Sequence, residues 1–193
     1  MSDQEIIEQL KQGSEAAFRK LVESHQKLVV NTCFGMVHNR EDAEDIAQDV
    51  FIEVYRSIQQ FRADSKLSTW LYRIAVNRSL NHIRDNKKHK WFQSFEKDEE
   101  AKSRQLFQVE SSAADNPGYE MENKQRAAIL YGAINSLPEN QKVAFTLNKY
   151  EDLSYQEISE VMEMSVSSVE SLLFRAKKNL QKKLYQCYKK KCM

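Results

Sequence analysis

The sequence predicts an all-α protein: two small helical domains joined by a flexible acidic linker, the C-terminal domain a helix-turn-helix. Three observations carry that prediction. Gly and Pro number only 4 and 2 in 193 residues, too few for the tight turns of a strand-rich fold. Apolar residues recur at three- and four-residue steps through most of the chain, the spacing of one helix face. Late in the chain Ser154 with Glu157, and Ser167 with Glu170, form the S-x-x-E pattern of a helix N-terminal capping box.

The elements follow in order. Ser14 is placed to cap a long helix whose buried face is Phe18, Leu21, Val22, His25, Leu28, Val29, Thr32, Cys33 and Met36. After the polar break His38-Asn39-Arg40, a second helix gathers Ala43, Ile46, Ala47, Val50, Val54, Ile58 and Phe61 on one side and Glu41, Asp45, Gln48, Asp49 and Ile52 on the other. A third is expected over about 68–86, where Leu71, Ile74, Ala75, Arg78 and Ile83 alternate with polar positions. Residues from about 87 to 119 break the pattern. Glu96, Asp98, Glu99, Glu100, Glu110 and Asp115 lie among Ser, Gln and Lys, and Asp115-Asn116-Pro117-Gly118 supplies a turn, so the segment reads as an acidic linker. Trp91, Phe92, Phe95, Leu106 and Phe107 within it are able to dock on something.

Helical spacing resumes near Glu120 with Ala128, Tyr131 and Leu137, and Pro138 suits the first turn of a helix over 139–150. The capping box at Ser154 opens a short helix ending near Met162. Glu163, Met164 and Ser165 separate it from a last helix with the stripe Val169, Leu173, Ala176, Leu180 and Leu184. Two helices joined by about three residues fit a helix-turn-helix. The expected domains are residues 1–90 and 120–193, with 91–119 between them.

Several function classes lack support. No apolar run approaches the 18 or so residues of a membrane span, and MSDQEIIEQLKQG has no signal-peptide layout, so a soluble cytoplasmic protein is expected. Cys33, Cys187 and Cys192 are odd in number and widely spaced; His25, His38, His82 and His89 lack ligand spacing. Neither a disulfide framework nor a metal site is indicated, no cofactor is expected, and no nucleophile–base or Gly-rich phosphate constellation points to an enzyme.

The net charge of +1 conceals strong segregation. Residues 41–53 are acidic and contain no Lys or Arg, whereas Arg73, Arg78, Arg84, Lys87, Lys88 and Lys90 make the third helix and its exit basic. The last helix has Arg175, Lys177, Lys178, Lys182, Lys183, Lys189, Lys190 and Lys191 with no acid after Glu170. Basic helices suit phosphate, and an acidic face suits a cationic protein partner. A charge-rich helix is more often only a solvated face. Here the helix-turn-helix spacing tips the balance, because the start of its second helix is what enters a major groove. Ser167, Ser171, Phe174, Arg175 and Lys178 fall on the side away from the leucine stripe, where Ser and Arg reach base edges and Phe a thymine methyl. Glu170 either accepts from a cytosine amino group or caps the helix with Ser167. In the loop 61–71, polar residues beside Trp70, Tyr72, Arg73, Asn77 and Arg78 suit unstacked single-stranded bases. Against that, Trp70 and Leu71 read as core and Ser68 as a helix cap.

Three motifs carry a resemblance. Asp42-Ala43-Glu44-Asp45-Ile46-Ala47-Gln48-Asp49-Val50-Phe51, Ser68-Thr69-Trp70-Leu71-Tyr72-Arg73-Ile74-Ala75-Val76-Asn77, and Leu137-Pro138 with the segments 153–158 and 168–180 lie in the order seen in bacterial sigma factors. The chain resembles the extracytoplasmic-function group of the sigma-70 family, and the likeness spans nearly its whole length. That resemblance implies a transcription initiation factor that binds core RNA polymerase at the clamp helices of the largest subunit and at the flap region. Asp42, Asp45, Gln48, Asp49 and Ile52 would meet the clamp. Arg62, Asp64, Ser65, Lys66, Ser68, Arg73, Asn77, Arg78, Asn81 and Arg84 would take unpaired bases of the −10 element. Ser167, Ser168, Glu170, Ser171, Phe174, Arg175 and Lys178 would read the −35 duplex. The linker would thread near the RNA exit path. An anti-sigma partner is also implied. Glu170 and Leu172 stand where many relatives carry basic residues, and Asn81 replaces a frequent Asp, so promoter preference cannot be copied from them.

Overall fold

A computed structural model describes residues 3–61, 65–96 and 117–191. The described residues form eight α-helices and one 3-10 turn: α1 (Asp3–Lys11), α2 (Glu15–Val37), α3 (Arg40–Ser57), the turn Ile58–Gln60, α4 (Leu67–Glu96), α5 (Pro117–Asn135), α6 (Glu139–Tyr150), α7 (Tyr155–Met162) and α8 (Val166–Lys191). The chain is all-α, as its Gly and Pro scarcity predicts.

Local chemistry sets the boundaries. Gly13 lies in the left-handed region at φ +81° between α1 and α2, a conformation free of the usual Cβ clash only for glycine. Ser14 caps α2, its hydroxyl accepting from the Ala17 amide, and Asn39 caps α3 by accepting from Asp42. Both sides of the Ser154–Glu157 capping box are made, and α7 ends at Glu163 in the left-handed conformation. Pro138 is the N-cap residue of α6, one position before the first turn expected for it.

Four boundaries differ from the sequence expectation, and α1, with Ile6, Ile7 and Leu10 buried, is a helix not predicted from the sequence. The third helix runs to Glu96 instead of ending near Asn86, since 87–96 hold neither Gly nor Pro and nothing there stops a helix. α5 starts at Pro117, where the missing N–H costs nothing, so Pro117-Gly118 opens a helix where a turn was expected. The cap of α8 is Ser165: its hydroxyl accepts from the Ser168 amide at 3.3 Å, and Ser167 already lies within the helix. Glu170 therefore has no capping role. Ser68, likewise, lies inside α4, which begins at Leu67.

The first core joins α1 to α4 through Leu10, Leu21, Val29, Val50, Val54, Phe61 and Leu71. A second core spans the two halves of the chain. Met36 of α2 and Tyr72 and Val76 of α4 pack with Val143, Ala144 and Leu147 of α6, Ile158 and Val161 of α7, and Val169 and Leu173 of α8. A third seats α5 on α8 through Ala133, Ile134, Leu137, Ala176 and Leu180. In α5 the buried residues are Ala133 and Ile134, while Ala128 and Tyr131 are only half-buried. The expected linker residues 97–116, with Leu106 and Phe107, lie outside the described residues.

Candidate nucleic-acid interface

The outer side of α8 is built by its stripe. Val169, Leu173, Ala176 and Leu180 are buried, which holds the helix against α5, α6 and α7 and turns the opposite side to solvent. Ser167, Ser168, Glu170, Ser171, Phe174, Arg175 and Lys178 are all exposed there. Phe174 is 67% exposed, a large apolar ring without internal packing to account for it. The helix axis is fixed to α6 by Asn179, whose amide donates to Gln141 Oε1 at 2.8 Å.

On α3 the same alternation separates two faces. Ala43, Ile46, Ala47, Val50 and Val54 are buried, while Asp45, Gln48 and Asp49 are exposed and Ile52 is 46% exposed. Asp42 is half-buried and lies 3.6 Å from His82 Nε2 on α4. An acidic ridge edged by an exposed isoleucine and by Tyr55 is thus presented beside the first core.

The residues assigned to the third helix are distributed otherwise. Ser65 and Ser68 are half-buried, Lys66 is exposed, and Arg62 and Asp64 lie outside the described residues. Trp70 packs on Phe61 with ring centroids 5.0 Å apart and leans on the first core, which makes it a structural residue. Arg78 pairs with Glu53 of α3. Asn81 is exposed. Asn77 lines a cleft of about 240 Å³ whose other wall is Asn140, Val143, Val161 and Glu163.

Arg73 and Arg84 have partners that the sequence gives no means of finding. Arg73 Nη2 and Nε donate to the Glu160 carbonyl at 2.6 and 3.2 Å, and Nη1 lies 3.0 Å from Glu163 Oε1. Arg84 binds Glu139 in a two-point fork, 3.1 Å from Nε to Oε1 and 2.6 Å from Nη2 to Oε2. Those hydrogen bonds hold the Glu139 carboxyl below its ordinary range. Lys66 reaches Glu157 at 3.9 Å.

Titratable groups lie along the same seam, and of these Glu151 and Lys142 were not singled out from the sequence. Tyr72 donates to Glu151 Oε2 at 3.2 Å, and burial, reinforced by Asp152, pushes the Glu151 carboxyl up to about 7. His38, in the left-handed conformation after α2, stacks against Tyr131 at 4.3 Å and meets Tyr150 and Phe34 edge-on. Burial and the nearby Lys142 ammonium lower it to about 4. Lys142 is itself lowered to about 8 by burial and by Lys87. Cys33 is buried and its thiol is raised to about 11 by burial, so it is held as an inert thiol; Cys187 is half-buried and Cys192 lies outside the described residues.

Comparison with known proteins identifies the family. The sigma-70 region 2 family model matches residues 21–89, and the sigma-70 region 4 model matches 122–180. The chain is 34% identical to the RNA polymerase sigma-H factor of Pseudomonas aeruginosa over 94% of its length and 93% of the relative's. It is 35% identical to the ECF RNA polymerase sigma-E factor of Haemophilus influenzae over 95% of its own length and 96% of the other's. Its fold matches that of the sigma factor RpoE solved with the anti-sigma factor NepR from Bartonella quintana, at a TM-score of 0.61 and 18% identity, covering 87% of this chain and 96% of that one. Two family matches that follow one another along the chain, relatives alike over nearly all of its length and an all-helical fold agree: the chain is a transcription initiation factor, not an enzyme, and belongs to the ECF group of sigma-70 family RNA polymerase sigma factors.

Proposed function

We propose that the chain binds core RNA polymerase and directs it to promoters by reading −35 duplex and unpaired −10 DNA. The observation that carries the reading is the outer side of α8. There serines, Phe174, Arg175 and Lys178 form one solvent-facing row, at the start of the second helix of a helix-turn-helix, with the buried stripe behind them. Ser167, Ser168, Glu170, Ser171, Phe174, Arg175 and Lys178 read the −35 duplex in the major groove. With Glu170 not engaged as a cap, its carboxylate is available to accept from a cytosine amino group.

The exposed acidic row of α3, Asp42, Asp45, Gln48, Asp49 and Ile52, docks on the clamp helices of the largest subunit, and the C-terminal domain meets the flap region. Arg62, Asp64, Ser65, Lys66 and Ser68, with Arg73, Asn77, Arg78, Asn81 and Arg84, take the unpaired −10 bases. Residues 1–90 act as the polymerase-binding and −10 unit, 120–193 as the −35 unit, and 91–119 as the connection. Melting draws on binding energy, since each captured base offsets an unstacking cost of a few kcal/mol.

The setting is the cytoplasm, where the polymerase is. No helix among the described residues is long and apolar enough to cross a membrane. An anti-sigma factor is the expected inhibitory partner, by analogy with the structural neighbour solved in such a complex. Run-off transcription from genomic fragments with core polymerase, with and without the chain, tests the proposal. New start sites that require the chain are expected, and their absence from a folded sample overturns it.

A further inference from the structure

A second cleft, also of about 240 Å³, opens where α2, α4 and α6 come together. Met36, Leu80 and Leu137 give it an apolar wall, and Lys142 of α6 and Lys87 of α4 bring two ammonium groups to it. Lys142 is only 5% exposed, a burial that lysine rarely reaches without a counter-charge. Its ammonium donates to Asn135 Oδ1 at 2.5 Å, a neutral acceptor that uses one of three N–H donors. Among the described residues no carboxylate forms a salt bridge with it or with Lys87, which is exposed at the mouth of the cleft.

The two carboxylates that line the cleft are turned to other groups. Glu139, though near Lys87, is held in the Arg84 fork, and Asp42 lies 3.6 Å from His82 Nε2. A buried ammonium gains most from an anion brought directly against it, because little water screens the pair. We propose that this cleft binds a small organic phosphate, its phosphate group between Lys142 and Lys87 and its organic body against Met36, Leu80 and Leu137. Two ammonium groups suit a doubly charged head with three acceptor oxygens better than a singly charged carboxylate. The volume leaves room for a body beyond that head. None of the −35 row lines the cleft, so the inference is independent of promoter reading.

Binding carries a proton signature. In the chain alone, burial and Lys87 lower Lys142 from 10.5 to about 8. A phosphate beside the ammonium restores the charged form, so at about pH 8.5 binding takes up a proton at Lys142, while the phosphate itself is already fully ionised. The ionisable groups around Lys142 are His82, Arg84 and Lys87 of α4, Asp42 of α3, His38 after α2 with Tyr131 of α5 stacked on it, and Glu139 on its own helix. Replacing Lys142 isolates its share of the uptake from theirs.

The experiment is isothermal titration calorimetry of the full chain at about pH 8.5 and fixed ionic strength, in two buffers of different ionisation enthalpy, with phenyl phosphate, inorganic phosphate and benzoate as probes. Phenyl phosphate is expected to bind with a Kd below about 1 mM and with proton uptake, and the other two about tenfold more weakly, one lacking the body and the other the doubly charged head. Lys142→Met should weaken phenyl phosphate by at least about tenfold and abolish the uptake. Lys87→Gln, an exposed change that disturbs no buried contact, should weaken it about fivefold, whereas Lys149→Gln, exposed on the same helix away from the cleft, should bind as wild type does. No saturation of wild type by about 10 mM, benzoate as tight as phenyl phosphate, or Lys87→Gln indistinguishable from Lys149→Gln each overturns the inference. Displacement of phenyl phosphate by a random-sequence 30-base-pair duplex also overturns it, by making the cleft a contact for the DNA backbone.

Discussion

Arg175 projects from the solvent side of α8 next to Phe174, in the third turn of the helix. A guanidinium in a bidentate contact to guanine gives about 1–3 kcal/mol of discrimination, so Arg175→Ala should lower affinity for the cognate −35 duplex by that amount and spare non-cognate duplex. Equal loss on all duplexes with a shallower salt slope, read by anisotropy titrations at several salt concentrations, would make Arg175 a phosphate contact. At the same helix end the cap distinguishes two serines. Ser165→Ala removes the hydroxyl that accepts from the Ser168 amide and should cost about 1 kcal/mol in denaturant unfolding, whereas Ser167→Ala, exposed and inside the helix, should stay within about 0.5 kcal/mol. The reversed result would restore the S-x-x-E box that the sequence suggests. That box was legible as a pattern but not as a position, because three serines fall at 165, 167 and 168 and only the backbone decides which one precedes the first helical turn.

Most helices were legible where one side of an element had to be buried; α1 was not, although Ile6, Ile7 and Leu10 are buried on it, because nine residues hold too few apolar positions to establish a period. The two faces of α3 follow directly from a spacing in which Ala43, Ile46, Ala47, Val50 and Val54 recur, and burial matches that spacing at every one of these positions. The end of α4 was not legible, because a run of charged and aromatic residues without Gly or Pro reads as linker by composition and as helix by the absence of a stop. The sidedness of α3 leads to a direct test of its acidic row. Asp45 and Asp49 are one helical turn apart, both exposed, with no buried atom relying on either carboxylate. Asp45→Arg with Asp49→Arg should leave the thermal midpoint within a few degrees of wild type and reduce binding to core polymerase by at least tenfold, since two like charges then face a basic partner. Unchanged affinity in a pull-down or surface-binding assay would take this row out of the polymerase interface.

At the scale of the whole molecule, the packing of the halves was the least legible feature. A sequence separates Arg73 from Glu163, or Met36 from Val143, by about half the chain, and periodicity carries no information on which two faces meet. The seam has a pH signature that its titratable groups make specific. Glu151, with its carboxyl raised to about 7 by burial beneath Tyr72, holds a proton in the folded chain that the unfolded chain releases, so its contribution to stability grows as pH falls from about 7 toward the ordinary carboxylate value near 4.5. His38, lowered from 6.5 to about 4 by burial and by Lys142, does the reverse: the unfolded chain takes up a proton first, and stability is lost as pH falls from about 6.5 toward 4. Lys142, lowered to about 8, completes its contribution above pH 8 and adds no slope in this window. The two opposing slopes nearly cancel between about pH 6.5 and 4.5, so wild type should show a flat unfolding midpoint there. Removing either group exposes the other. Glu151→Gln leaves the histidine alone, and its midpoint should fall steadily as pH is lowered from 7 to 5. His38→Asn, chosen because asparagine tolerates the left-handed backbone at φ 57°, leaves the carboxyl alone, and its midpoint should rise over the same range. Thermal melts of the three chains at half-unit pH steps read both slopes, and slopes of the same sign in the two variants would show that the seam does not bury these groups as described.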